Sequence, residues 1–479
     1  MICHDRLPSI PDRLPPDDDT LGVPMLVSMY RPRASDGSCG AVRLLSPLSF
    51  GIIIAAATIL ALPAGGGSSP DVKVRVDYAA PQGTSQLTVG VTHVQHSLDS
   101  SGNTDAVARG EALLSQSAVY QNQHIMGWGA NNPEPSPGVY DWGSLDSRVA
   151  LMRRTGGTPV ITLCCAPDWM KGGQAGQTDW SRLEVAPTPE HYADFAALAQ
   201  QVARRYPDVK QYQVWNELKG FWNSALNRWD YEGYTALYNL VYDALKSVNP
   251  AIRIGGPYVV MDSWGCGPCM SNPSDISGPY GTLDQRPLDV ITYWLTHKHG
   301  ADFITVDAST QNWDGMDIVD PLAAAQKFAD ILTWVRQRTP LSVWFAEWYA
   351  PASNRTQQDA AMALSLIEMA RTGGAVALSW GPQGDATAPK PGDFDNLWGD
   401  TQSASGGEPF PFYYTQKAFH DFFGPGTTLY SASASSPDVA VLASARATLV
   451  VNMRADAITV GLGGKNVKVA GYGVYLSPR

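Results

Sequence analysis

Charge is scarce in this chain. Only 16% of its 479 residues are Asp, Glu, Lys or Arg, against about a quarter in an ordinary soluble protein. No cluster of Lys and Arg is present, and the formal net charge is −11. This excludes the basic face that nucleic acid or a polyanionic substrate needs. Cysteine is sparse too, six in all, and no His or Cys stands at the matched spacing of a zinc site. Internal repeats are absent, and no apolar run reaches the ~20 residues that span a bilayer. What remains is a neutral, aromatic-rich chain (15 Trp, 20 Tyr, 12 Phe) long enough to bury a large core.

The first seventy residues do not read as part of the fold. "PDRLPPDDDT" is polar and Pro-rich, the composition of disorder or of an upstream start-site artefact. From Met29 the pattern changes. Arg31, Arg33 and Arg43 precede "LSFGIIIAAATILALPAGGGSSP", a basic region, an apolar stretch of roughly 15 residues and small residues after it. A cleaved secretory signal is expected, with a short membrane anchor at the N-terminus as the alternative; both place the protein outside the cytoplasm, secreted or at the cell surface. This leader holds 5 Arg and 6 Asp, so the acidity belongs to the rest.

Four cysteines lie beyond the leader: Cys164 and Cys165, adjacent, and Cys266 and Cys269 in "CGPC". In an exported chain an even set points to disulfides. "CGPC" has redox spacing, but it follows a strand-like run and sits among Gly, Pro and Ser, so a disulfide stapling a loop is the expectation.

From residue 86 onward, strand-like runs alternate with amphipathic helices. The runs cover 86–94, 121–129, 158–167, 209–217, 251–260, 301–309, 341–349 and 375–382. Eight in order is the number a (β/α)₈ barrel requires. Between them the period is helical: Tyr192, Phe195, Leu198, Ala199, Val202 and Tyr206 recur at three- and four-residue steps. Asn249-Pro250 stops one helix and Gly373 closes another. From about Thr427 short alternating runs predict a small C-terminal β-sandwich domain. The expected division is a leader over 1–70, an α/β barrel of TIM type over 71–425 and the β-domain over 426–479.

In such a barrel the chemistry sits at the C-terminal strand ends. The fourth run ends "VWNE" at Glu217 and the seventh "WFAE" at Glu347, each after an apolar strand and each among aromatics. Two glutamates across a barrel mouth suit glycosidic bond cleavage, one protonated to serve the leaving oxygen, the other ionised at the anomeric carbon. Aromatic rings nearby (Trp215, Phe221 and Trp222; Trp344, Phe345, Trp348 and Tyr349) suit the C–H faces of a sugar.

"VWNELKGFW" resembles the Trp-Asn-Glu-Pro segment around the acid/base of the clan A retaining glycosidases. Residues 138–170 are similar to the strand 2 to strand 3 region of glycoside hydrolase family 39, which includes β-xylosidases, α-L-iduronidases and exopolysaccharide hydrolases. The likeness covers roughly residues 86–479. It implies Glu217 as general acid/base, Glu347 as nucleophile, Asn216 on the sugar 2-hydroxyl and Trp380 as the floor of the cleaving subsite, with no cofactor. Trp128 and Trp348 join the expected substrate contacts, and His93 and His124 could each hold a sugar hydroxyl. Two departures stand out. Leu218 replaces the usual Pro, and strand 6, where the clan often places a Tyr or His touching the nucleophile, offers Asp307 and Gln311. An Asp facing Glu347 would raise its pKa. The reading is an exported retaining glycosidase with a carbohydrate substrate. A carbohydrate-binding pseudoenzyme and a thiol oxidoreductase built on "CGPC" are the alternatives.

Overall fold

A computed structural model describes residues 69–266, 270–316, 318, 320–384 and 395–479. The expected signal segment and Cys269 fall outside them. Among the described residues no helix is long and apolar enough to cross a membrane.

Eight parallel strands close into a barrel: Thr88–Thr92, Tyr120–His124, Thr158–Leu163, Gln211–Val214, Arg253–Val260, Phe303–Ser309, Ser342–Tyr349 and Val376–Trp380. Each lies within or at the edge of one of the eight expected runs. The ring shuts where Val376–Trp380 pairs with Thr88–Thr92. The helices α1 (Thr104–Leu114), α2 (Gly143–Arg154), α3 (Tyr192–Arg205), α4 (Tyr231–Val248), α5 (Gln285–His297), α6 (Gln326–Arg336), α7 (Arg355–Thr372) and α8 (Pro411–Phe422) follow the strands in turn. Their ends are chemically marked. The Asp230 side chain accepts from Gly233 N to start α4, and that of Asn354 accepts from Gln357 N to start α7. Gly373, at φ +87°, ends α7.

The barrel interior has two layers. At its base Phe303 stacks on Trp344 (centroids 4.0 Å, 16° between planes) and Tyr120 lies 5.0 Å from Trp344. Val160, Val376 and Leu378 complete this apolar plug. Gly255 stands level with Phe303, and a Cβ there would lie 2.1 Å from the ring. Above the plug the lining turns polar. Thr162 Oγ1 donates to Asn122 Oδ1 (2.8 Å), Asn122 Nδ2 to Thr92 Oγ1 (3.1 Å) and Gln213 Nε2 to Thr162 Oγ1 (3.1 Å). Four strands are thereby tied beneath the mouth by hydrogen bonds shielded from water.

The C-terminal strands Thr428–Ala434, Val439–Ser444, Ala447–Asn452, Ile458–Leu462, Lys465–Val469 and Val474–Pro478 form one mixed sheet with a seventh member from the other end of the chain. Val72–Thr84, which the sequence reading placed in the barrel, pairs antiparallel with Thr428–Ala434 and parallel with Ile458–Leu462. The cause is its alternation: Val72, Val74 and Val76 turn one apolar face to a core shared with Val439, Val441, Val450, Ile458, Val460 and Val469. The intervening Leu442, Leu449 and Val451 point the other way, into the main core.

Gly255→Ala is expected to lower stability by about 1–3 kcal/mol through overpacking against Phe303, read by urea unfolding. A variant as stable as wild type would mean that the ring has room to yield.

Candidate active site

The fourth barrel strand stops at Val214, and the chain then makes a tight turn. Trp215, Glu217 and Leu218 have φ of +71°, +49° and +49°, a left-handed conformation unfavourable for residues with side chains. The turn is held from behind. Trp215 is buried, packs edge-on against Phe195 and Phe221, and donates Nε1–H to Lys219 O (2.8 Å). Trp215 and Phe221 therefore brace the turn instead of walling a sugar site, and Trp222 lies out on a short hairpin against Trp229. Leu218 is fully buried where Pro was expected.

Glu217 and Glu347 face each other with Asp307 between their strands. One carboxylate oxygen from each of the three lies within 4.8 Å of the others. Asp307 is level with Glu347 in the parallel ladder. Lys219 Nζ is 2.8 Å from Glu217 Oε2 and 2.6 Å from Glu184 Oε1. Glu347 takes hydrogen bonds from two phenols, Tyr349 Oη to Oε1 and Tyr258 Oη to Oε2 (3.3 Å). The spacing would also suit a cation, but Lys219 and the phenols already supply the positive partner and the donors.

The electrostatics follow from burial. Burial pushes the Glu347 carboxyl up to about 8; Glu217 adds to the rise, and the Tyr349 hydrogen bond, Lys219 and the Tyr258 hydrogen bond oppose it. Asp307 is driven well above the usual carboxylate range by burial, then by its hydrogen bond to Glu217 and by Glu347. Burial would raise Glu217 as well, but the Asp307 hydrogen bond and the Lys219 ammonium outweigh it and leave it below its ordinary value.

Beside the carboxyls lies an amide and aromatic floor. Burial holds the His124 imidazole down to about 4, so it is neutral, and its Nε2 is 3.2 Å from Asn216 Oδ1. An N–H there donates to Oδ1, leaving the Asn216 amide N–H groups free to face a ligand. The His124 ring lies 4.5 Å from Trp128 and 5.8 Å from Trp380, and the two indoles meet edge-on at 5.8 Å. Lys219 Nζ is 5.8 Å from the Trp128 ring centroid.

Of the expected site residues, the fold brings together Glu217, Glu347, Asn216, Asp307, His124, Trp128 and Trp380. It removes His93 and Trp348. Thr92 points into the barrel, so its neighbour His93 points out, to Gln121 Oε1 (3.3 Å). By the same alternation Glu347 faces in and Trp348 faces the helices, 5.9 Å from both Phe328 and Phe412. Trp344 belongs to the plug, and Gln311 is exposed. Sequence reasoning missed Lys219 and Tyr258, and it took Tyr349 as a sugar-facing ring instead of a donor to Glu347. Lys219 and Tyr349 lie two positions from the glutamates, a spacing that could have flagged them. Tyr258 arrives from the fifth strand, where the sixth was expected to supply the nucleophile's partner, and nothing local marks it. Elsewhere, Cys164 and Cys165 place their sulfurs 2.17 Å apart. The loop-stapling disulfide expected of "CGPC" would involve Cys269, which lies outside the described residues.

A carboxyl whose folded pKa is raised stabilises the fold fully below its unfolded value, and that contribution is lost as pH rises through the folded value. For Glu347 the window runs from its ordinary 4.5 to about 8. Glu347→Gln is therefore expected to gain stability over wild type as pH rises through this window, with little difference below it. Thermal unfolding at about pH 4 and about pH 9 checks this; a gain at the acid end alone would contradict it.

Residues 126–304 match the family described as glycosyl hydrolases family 39. A beta-xylosidase from Caldicellulosiruptor saccharolyticus is 26% identical over 223 residues, 44% of this chain and 41% of that protein. The chain thus matches under half the length of this curated relative. Among solved structures, a monomeric beta-xylosidase from Caulobacter crescentus CB15 superposes with TM-score 0.54 and 18% identity over 79% of this chain and 76% of that one. The GH39 enzyme from Xanthomonas axonopodis pv. citri gives TM-score 0.53 and 17% identity over 84% and 78%. Over residues 126–304 the chain is thus similar to glycosyl hydrolases family 39, and it shares its barrel fold with the solved beta-xylosidases.

Proposed function

We propose that the chain is an exported, retaining glycoside hydrolase that cleaves a neutral oligosaccharide or polysaccharide by double displacement. The observation that carries this reading is the meeting of Glu217, Glu347 and Asp307 oxygens within 4.8 Å, over a floor of Asn216, His124, Trp128 and Trp380. Carboxyl groups about 5–5.5 Å apart suit direct attack, whereas inversion needs about 6.5–9.5 Å to admit a water. Glu347, held at both oxygens by Tyr258 and Tyr349, attacks the anomeric carbon. Glu217 protonates the leaving oxygen, then takes a proton from the water that releases the sugar. Asn216 meets the 2-hydroxyl, and the indoles pack on the ring. A neutral substrate fits the acidic surface, and the beta-xylosidase relatives make a β-xyloside the first compound to try. Export rests on the basic and apolar segment after Met29.

The test is nitrophenol release from aryl β-xyloside, α-L-arabinofuranoside, β-glucoside, β-galactoside and α-L-iduronide, with proton NMR of the first-formed anomer. One sugar should be cleaved by wild type with retained configuration, and lost in Glu217→Gln and Glu347→Gln. The activity should fractionate outside the cytoplasm when the full chain is expressed. An inverted product would refute double displacement.

The acid limb of kcat/KM reports the nucleophile, which must be ionised to attack. It is expected to rise toward about 8, the value to which burial pushes Glu347, instead of near an ordinary glutamate. The Tyr349 hydrogen bond lowers that value, so Tyr349→Phe should shift the limb to higher pH. A limb that stays in place would show that Tyr349 does not tune the nucleophile.

A further inference from the structure

Two carboxyls can hydrogen-bond each other only if one carries a proton. Asp307 and Glu217 bring carboxylate oxygens within 4.8 Å of each other, close enough to share one proton, and Lys219, 2.8 Å from Glu217, favours the ionised form on Glu217. The proton of the pair therefore rests on Asp307. Yet the reaction proposed above needs a proton on Glu217 when the leaving oxygen departs. Asp307 is only 3% exposed, against 13% for the Glu217 side chain, so Asp307 is the buried member of the pair.

We propose that Asp307 is the proton store of this site, a positioning residue that passes its proton to Glu217 as Glu217 protonates the leaving oxygen. This rests on the glycosidase reading of Glu217 and Glu347. The step balances. The Asp307 O–H bond breaks and a Glu217 O–H forms; the proton of Glu217 goes to the leaving oxygen as its bond to the anomeric carbon breaks. Glu347 forms the new bond to that carbon and gives up its negative charge while Asp307 acquires one, so the cluster's net charge is the same before and after. In the second half water attacks the same carbon, Glu347 departs as carboxylate, and the water's proton returns through Glu217 to Asp307. Lys219 has a second carboxylate at hand, Glu184 at 2.6 Å, on which to rest while Glu217 is neutral.

The groups facing Asp307 are consistent with this. Glu347 and Tyr349 come from the seventh strand, and Tyr258 from the fifth with Asp262 just beyond it. Glu217 comes from the turn after the fourth strand, and Lys327 from α6. Lys327 is itself bound to Ser263 Oγ (2.9 Å) and Ser309 O (2.7 Å).

The experiment compares two aryl glycosides of one sugar, phenyl, whose departure needs a proton, and 2,4-dinitrophenyl, whose departure does not. General acid assistance is worth roughly 10²–10⁴ in rate. Asp307→Asn should lower kcat/KM for the phenyl glycoside by about 10²-fold and for the dinitrophenyl glycoside far less. It should also move the alkaline limb of the phenyl profile to lower pH. Asp307→Glu, which restores a proton-bearing carboxyl, should recover part of the phenyl rate. The ratio of the two rates does not depend on how much variant is folded. Equal losses on both substrates, including a complete one, or no loss on either, would overturn the inference. Glu217→Gln is the control. If it fails to discriminate the two leaving groups, the acid/base reading itself falls; if it discriminates and Asp307→Asn does not, only the proton store is lost.

Discussion

Two buried carboxyls, Asp307 and Glu347, and the partly exposed Glu217 face the Lys219 ammonium at the mouth of this barrel, and most of what surrounds them answers that imbalance. Ionised carboxylates are costly to remove from water, so a cluster of three with one adjacent cation must hold protons near neutrality. The structure divides the burden by residue. Lys219 stabilises charge on Glu217, the phenols of Tyr258 and Tyr349 stabilise it on Glu347, and burial drives Asp307 well above the usual carboxylate range. Such groups titrate as a set, and a change at one is felt at all three.

The fold makes that cluster possible by stacking two different interiors in one barrel. The aromatic plug at the base is dry and close-packed around Gly255. Above it, Thr92, Asn122, Thr162 and Gln213 hydrogen-bond one another across four strands, so polar side chains replace the apolar plug toward the mouth. The left-handed turn that presents Glu217 is tolerable for the same reason: Trp215 is clamped between Phe195, Phe221 and the carbonyl of Lys219. Local strain at the turn that carries Glu217 is offset by packing just outside it.

This division explains how much could be read from the sequence. An acid that closes an apolar run is visible in one dimension, so Glu217 and Glu347 stood out, as did the eight strands and the helix ends at Asn249-Pro250 and Gly373. What alternation decides at single-residue resolution was harder. Trp348 and His93 sit one position from inward residues, and a strand flips successive side chains to opposite faces. Abundant aromatics near the glutamates proved a poor guide, because Trp215, Phe221 and Trp348 serve packing while the floor is Trp128 and Trp380, drawn from strands two and eight. Tyr258 and the sheet membership of Val72–Thr84 depend on contacts across the chain, for which a single sequence carries no local mark.

The substitutions at the site are coupled. A barrel with a Tyr or His on the sixth strand would give its nucleophile a donor there. This chain has Asp307, an acceptor when ionised, and its donors to Glu347 come instead from Tyr258 on one side and Tyr349 on the strand itself. Once Asp307 occupies that place, Glu217 gains a carboxyl neighbour and would be crowded into neutrality without Lys219. Lys219 in turn would hold Glu217 ionised permanently if Glu184 were not 2.6 Å away to receive it. Asp307, Tyr258, Lys219 and Glu184 lie on four different segments, yet each is intelligible only through the charge of the others. They act as one electrostatic unit wrapped around the two glutamates.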